Sequence, residues 1–74
     1  MKKFYYGKMV KIKPKEFFEE YFLDKPYFNG NFGNNWIRYA GHYAKIINGI
    51  DGSWRLDIDK GLLFWHDCMI EPVD

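Results

Sequence analysis

Cysteine is nearly absent from this sequence: Cys68 is the one thiol among 74 residues. A single thiol excludes an intrachain disulfide and any metal site that needs two or more thiolates. The cross-links that stabilise many small domains are therefore missing, and a reducing, cytoplasmic setting is expected.

Long apolar runs, internal repeats and linkers are also missing. No window approaches the roughly 20 apolar residues of a membrane span, and the N-terminus carries no apolar stretch of signal-peptide length. We therefore expect no membrane association. Without a repeat or a domain-separating linker, the sequence predicts one domain over residues 1–74.

Aromatic residues are abundant, and they have to supply the core. Three Trp, six Tyr and seven Phe make up 22% of the chain. Each packed aromatic side chain buries on the order of 150–250 Å². A chain of this length has little other means of offsetting its conformational entropy, so most of these rings are expected inside.

Acidic residues are missing from the first fifteen positions, which hold six of the eleven basic residues. The other five basic residues share the rest of the chain with all ten acidic ones. Two interpretations stay open. The lysines form a contact patch for nucleic acid or an acidic partner, or they are solvated residues that discourage edge-to-edge strand pairing.

A strand and a short helix are predicted before residue 24. Val10 and Ile12 share one face of a half-buried strand, and Lys11 and Lys13 share the other. Pro14 suits the first turn of a helix in which four aromatics recur at helical spacing, while three glutamates turn away. Those aromatics are Phe17, Phe18, Tyr21 and Phe22, and the helix should stop before Pro26.

Residues 24–35 combine proline, glycine and asparagine with three aromatics and are predicted to form a loop. Its rings either fold back over the core or stand exposed as a binding surface. Asn35 is a candidate cap for a helical turn over 36–40 that Gly41 closes.

From His42 onward the pattern predicts a meander of strands and tight turns. Residues 43–48 alternate without indicating which face is inward. Asp51-Gly52 signals a hairpin turn, and the next strand places Trp54, Leu56 and Ile58 on one face and Arg55, Asp57 and Asp59 on the other. A second turn ends at Gly61, and residues 67–70 form one more. The predicted core is Val10, Ile12, Ile46, Trp54, Leu56, Ile58 and Phe64.

The meander resembles a family of small proteins from bacteriophages, prophages and low-GC bacteria. The shared pattern is a YAG turn, A-x-I, a DG hairpin, LDIDxG, FW, D-x-M and a final EP. It is carried by Tyr39, Ala40, Gly41, Ala44, Ile46, Asp51, Gly52, Leu56 to Asp59, Gly61, Phe64, Trp65, Asp67, Met69, Glu71 and Pro72. The resemblance implies a mainly β fold, a small SH3-like β-barrel with one short helix after the first strand, in which that strand pairs with the meander. It implies no catalytic residues, and His66 and Cys68 depart from the residues usual in the family.

Catalysis and metal binding are disfavoured. His66, Asp67 and Cys68 are adjacent, so their side chains point in different directions, whereas a working Cys/His pair usually comes from separated segments. Asp67 is expected to cap a turn instead. Asp57 and Asp59 lie on one strand face but lack the spacing of a calcium loop, and they are better explained as a surface partner and a turn former. We expect no enzyme activity, cofactor or metal.

Two binding functions remain. The leading prediction is a non-catalytic protein-binding module, a phage or prophage accessory protein that binds and modulates a host protein through the aromatic loop. The alternative is a barrel that binds single-stranded nucleic acid through lysines and exposed aromatics, with Lys45, Tyr5, Tyr6 and Tyr43 as further candidates. The predicted partner-binding residues are Tyr27, Phe28, Phe32, Trp36 and Arg38, flanked by Lys11 and Lys13.

Overall fold

The computed structural model describes residues 3–23, 35–50 and 52–73. Within them, the chain is mainly β, with five strands and the short helix expected after the first strand, and residues 35–37 are also helical. The strands are β1 (Met9–Ile12), β2 (Tyr43–Ile50), β3 (Ser53–Leu56), β4 (Trp65–His66) and β5 (Ile70–Pro72), and the helix α1 (Lys15–Leu23) follows β1. All described strand pairs are antiparallel, and the order across the sheet is β4-β3-β2-β1-β5.

Strand β1 lies between β2 and β5, so the start of the chain pairs with its end. Val10 faces Ala44 on one side and Pro72 on the other. Val10 and Ile12 are fully buried and Lys11 is exposed, which confirms the predicted alternation. The pairing of β1 with the C-terminal meander agrees with the topology that the resemblance implies.

Helix α1 places its aromatic stripe against the sheet. Phe18 and Phe22, four residues apart, are buried, and the ring of Phe18 packs edge-on against Trp65 with centroids 6.2 Å apart. The adjacent stripe residues Phe17 and Tyr21 are half-buried and stack on each other. The glutamates at 16, 19 and 20 are exposed, as the sequence predicted.

A β-bulge changes the inward face of β2. Ile46 pairs with Leu56, but Asn48 pairs with Arg55, so Ile47 is an extra residue on β2. Before the bulge the even-numbered residues Ala44 and Ile46 point inward. After it the parity reverses, because each inserted residue shifts the alternation by one. Asn48 is therefore exposed rather than sharing the buried face.

Two predictions for the meander are wrong. The strand ends at Leu56, and Asp57–Asp59 forms a 3₁₀ turn that brings Asp59 inside instead of onto the outer face. Phe64 is not a core residue, because the irregular segment after Gly61 places Trp65 inward and leaves Phe64 51% exposed. The other predicted core residues are buried, with Ile58 partly so. The predicted turn after His66 is present as the 3₁₀ turn Asp67–Met69.

Within the described residues, α1 is far shorter than a membrane-crossing helix, and no helix there combines the necessary length and hydropathy.

Candidate apolar groove

An apolar groove of about 440 Å³ opens between α1 and the segment that leads into β4. Tyr21 and Phe22 line it from the helix, and Leu62, Leu63 and Phe64 line it from the segment before β4. Trp36, Met69, Ser53 and His66 complete the lining. The site therefore lies beside the edge strand of the sheet, and most of its side chains are apolar or aromatic.

Trp36 forms part of the groove wall, and two of its contacts lie within the described residues. Its indole Nε1 donates a hydrogen bond to the carbonyl oxygen of Phe64 at 2.8 Å, and its ring lies 5.5 Å from the ring of Phe22. The side chain is 7% exposed. Trp36 is therefore a core residue that joins the helix to the segment before β4 and also lines the groove, and its role in partner contact stays a prediction.

Two exposed apolar side chains, Leu62 and Phe64, form the rim of the groove. Leu62 is 78% exposed and Phe64 is 51% exposed. The Arg55 guanidinium lies 3.8 Å from the centre of the Phe64 ring and donates to the carbonyl oxygen of Gly61. Phe64 is therefore fixed in an exposed position by a cation–π contact.

The backbone of this rim is fixed from beneath by Asp59. Its buried carboxylate accepts hydrogen bonds from the backbone N–H groups of Gly61 at 3.1 Å and Leu63 at 2.9 Å, and from Trp65 Nε1 at 3.4 Å. Buried carboxylates need such donors to offset desolvation. The interactions of Asp59 and Arg55 together give the rim a defined conformation.

The predicted contact residues are distributed over several parts of the molecule. Tyr27, Phe28 and Phe32 lie outside the described residues. Arg38 is exposed beside a smaller cavity of about 100 Å³, which shares Leu62 and Leu63 with the groove. Arg38 is thus a neighbour of the groove.

Lys11 and Lys13 are not among the residues that line the groove. Lys13 forms an ion pair with Glu71 at 3.0 Å, and Lys11 lies on the outer face of β1. The structure therefore places these two lysines on a surface other than the groove. Their predicted position beside Tyr27, Phe28 and Phe32 stays a prediction, because those three residues lie outside the described part of the chain.

His66 and Asp67, the neighbours of Cys68 that come before it in the chain, each have a hydrogen-bond partner elsewhere in the described residues. Asp67 Oδ1 accepts a hydrogen bond from Trp54 Nε1 at 2.6 Å, and His66 Nδ1 lies 3.0 Å from the carbonyl oxygen of Gly52. Both therefore contact groups other than the exposed Cys68 thiol. The expectation that Asp67 caps its turn is wrong, because the turn has no side-chain cap.

Among the described residues, no three His, Cys, Asp or Glu side chains cluster as a metal site would require. Asp57 and Asp59 illustrate why, since the 3₁₀ turn separates them. Asp57 Oδ1 accepts from the backbone N–H of Lys45, whereas Asp59 points inward. The two carboxylates do not share the outer face that a continuous strand would have given them.

The sequence did not identify Leu62 and Phe64 as rim residues. One signal was available: if residues 62–65 formed a strand, as the sequence predicts, the adjacent Phe64 and Trp65 would point to opposite sides, and one of them would be outside. The sequence pattern does not say which one, because both rings suit a core.

Comparison of the chain with protein-family models, curated proteins and solved structures found no match. The fold and the groove therefore carry the functional argument.

Proposed function

We propose that this chain is a non-catalytic protein-binding module in which the apolar groove receives apolar side chains of a partner protein. The observation that carries the proposal is the rim: Leu62 and Phe64 are held exposed at the mouth of the groove. A contiguous exposed apolar patch is typical of an interaction surface, whereas single exposed apolar residues are ordinary.

The energetics of the rim support a partner that covers it. Fully burying a Leu or Phe side chain contributes roughly 1.5–3 kcal/mol, and each 1.4 kcal/mol changes a dissociation constant tenfold. Because Arg55 and Asp59 already fix the segment that carries both side chains, little conformational entropy is lost when a partner orders them.

An SH3-like barrel is part of the proposal. The position of β1 between β2 and β5, and the 3₁₀ turn immediately before β5, support it. The role suggested by the family resemblance, modulation of a host protein in a bacterial or phage-infected cell, is a prediction of the same kind.

A matched pair of substitutions tests the groove. Leu62→Gln removes the rim's most exposed apolar side chain, and Ile50→Gln removes a side chain of equal size that is 75% exposed and is not part of the groove lining. We expect Leu62→Gln to lose a protein that the wild-type chain captures from a bacterial lysate, and Ile50→Gln to retain it. Both variants should keep the wild-type melting temperature, since neither side chain is in the core.

If Leu62→Gln and Phe64→Ala both capture the partner as well as wild type does, a role for the groove is contradicted. Equal loss in the Ile50→Gln control would point to general surface hydrophobicity instead.

A further inference from the structure

The outer face of β1 and β2 carries a compact block of lysines and apolar side chains that shares no residue with the groove. The antiparallel register places Lys11 opposite Tyr43 and Met9 opposite Lys45. All four side chains are exposed. Directly opposed residues lie about 4.5–5.5 Å apart at Cβ, so the block is a continuous surface.

Two tyrosine rings in this region lie next to ammonium groups. Lys11 Nζ is 5.7 Å from the centre of the Tyr43 ring, and Tyr43 is 59% exposed. Before β1, Lys8 Nζ is 5.8 Å from the ring of Tyr5, which is also exposed. Tyr43 begins β2 opposite Lys11, and Tyr5 precedes β1; these two tyrosines with Lys11 and Lys45 are called the lysine–tyrosine strip.

Lys11 and Lys45 are not neutralised by the ion pairs of the described residues. Lys13 forms an ion pair with Glu71, whose carboxylate lies beside β1. Lys11 and Lys45 have no ion pair in the part of the chain that the structure describes. Asp57 lies nearby and accepts from the Lys45 backbone N–H. Lys8 is half-buried and its Nζ donates to the Val73 carbonyl oxygen at 2.8 Å, so Lys11 and Lys45 carry the exposed charge. These two cations outnumber the one unpaired carboxylate, that of Asp57, so the strip has a positive surface.

We propose that this strip binds single-stranded nucleic acid. Lys11 and Lys45 contact phosphates, and the exposed faces of Tyr43 and Tyr5 stack with bases. Positive charge alone would suit any polyanion. The exposed rings beside the lysines favour a nucleic acid, because bases have aromatic faces to stack on tyrosine and acidic side chains do not.

The test uses a fluorescein-labelled twelve-residue oligothymidine and measures anisotropy from 50 to 200 mM salt. Wild type is expected to bind at low salt and to weaken as salt rises. Lys11→Gln and Lys45→Gln should each reduce the slope of log K against log salt concentration by about 0.7, the value for one phosphate contact in a single strand. Tyr43→Ala should weaken binding roughly 5- to 150-fold, whereas Tyr43→Phe should retain it because the ring remains.

Lys15→Gln is the charge-matched control, since Lys15 is exposed on α1 outside the strip. Melting temperatures equal to that of wild type establish that the variants fold. The proposal is overturned by absence of binding at 50 mM salt, by equal weakening in Lys15→Gln, or by Tyr43→Ala binding as tightly as wild type. Competition by polyglutamate as effective as by unlabelled oligothymidine would assign the strip to acidic peptides instead.

Discussion

Asp59 shows at the scale of a single residue how an unexpected burial organises the candidate site. It is the one buried charged side chain among residues 3–23, 35–50 and 52–73. Its carboxylate accepts from two backbone N–H groups and one indole, so the cost of removing it from water is offset by hydrogen bonds. Those same bonds fix the backbone that displays Leu62 and precedes Phe64.

Asp59→Ala is expected to destabilise the protein strongly. It leaves the Leu63 N–H and the Trp65 indole N–H without their carboxylate acceptor, at roughly 1–3 kcal/mol for each buried donor left unpaired, whereas the Gly61 N–H keeps the Leu56 carbonyl oxygen as a partner. Thermal denaturation should show a fall in melting temperature of roughly 4–8 °C for each kcal/mol. Asp57→Ala is the control: its bond to the Lys45 N–H is exposed, so water replaces the carboxylate and the loss stays under about 1 kcal/mol. Equal losses in the two variants would contradict the structural role of Asp59.

At the scale of elements, the bulge in β2 determines how the hairpin closes. The bulge shifts the register so that Gly49 lies directly opposite the buried Trp54. A Cβ at Gly49 would lie 2.6 Å from the carbonyl oxygen of Ser53 and 2.7 Å from the Cα of Trp54. The backbone at Gly49 also has a φ of +129°, which side chains rarely adopt.

Gly49→Ala is therefore expected to cost more than about 2 kcal/mol, because backbone atoms of β3 have to move. Gly41→Ala is the matched control: Gly41 also has a positive φ, +80°, but a Cβ there meets no atom within 4 Å. Its cost should be limited to the conformational term of roughly 1–2 kcal/mol. Chemical denaturation measures both. A Gly41→Ala variant as unstable as Gly49→Ala would show that contact with β3 contributes nothing.

The elements with regular hydrophobic periodicity were predictable from the sequence. The alternation of Val10, Lys11 and Ile12 identified β1, and the aromatic stripe of α1 identified both the helix and its buried face. In each case the pattern repeats without interruption over the whole element. Local periodicity is then sufficient, because the same face meets the core throughout.

The elements in which periodicity is interrupted were not predictable. Nothing local distinguishes Ile47 as the bulged residue or marks Leu56 as the end of β3, since residues 54–58 alternate as a continuous strand would. The inward turn of Asp59 depends on donors at 61, 63 and 65 that assemble only in the folded chain. The groove rim depends on the end of β3 at Leu56 and on the inward turn of Asp59, so it was missed for the same reason.

At the scale of the whole molecule, the helix and the sheet depend on each other. Phe18 is fully buried and contacts both Phe22 of the helix and Trp65 of β4. A domain of this length is expected to have a stability of roughly 4–11 kcal/mol, so a single contact of this kind is a large share of it.

Phe18→Ala is expected to cost roughly 3–5 kcal/mol and to leave the protein close to its unfolding threshold at 37 °C. Phe17→Ala removes an identical side chain from the adjacent position, where it is half-buried, and should cost clearly less. Urea denaturation followed by tryptophan fluorescence compares the two. If Phe18→Ala loses helical circular dichroism while the sheet melts as in wild type, the mutual dependence of helix and sheet is wrong.

The position of β1 between β2 and β5 also has a consequence for the order of folding. The β2–β3 hairpin is local and can close quickly, but Ile12 has to find Ile70 across almost the whole chain. Closing a larger loop costs more entropy before any contact compensates for it, so the hairpin is expected to form first and the β1–β5 pair late. The two proposed surfaces would then form one after the other. The groove rim depends on the early meander, whereas the lysine–tyrosine strip exists only after β1 has docked.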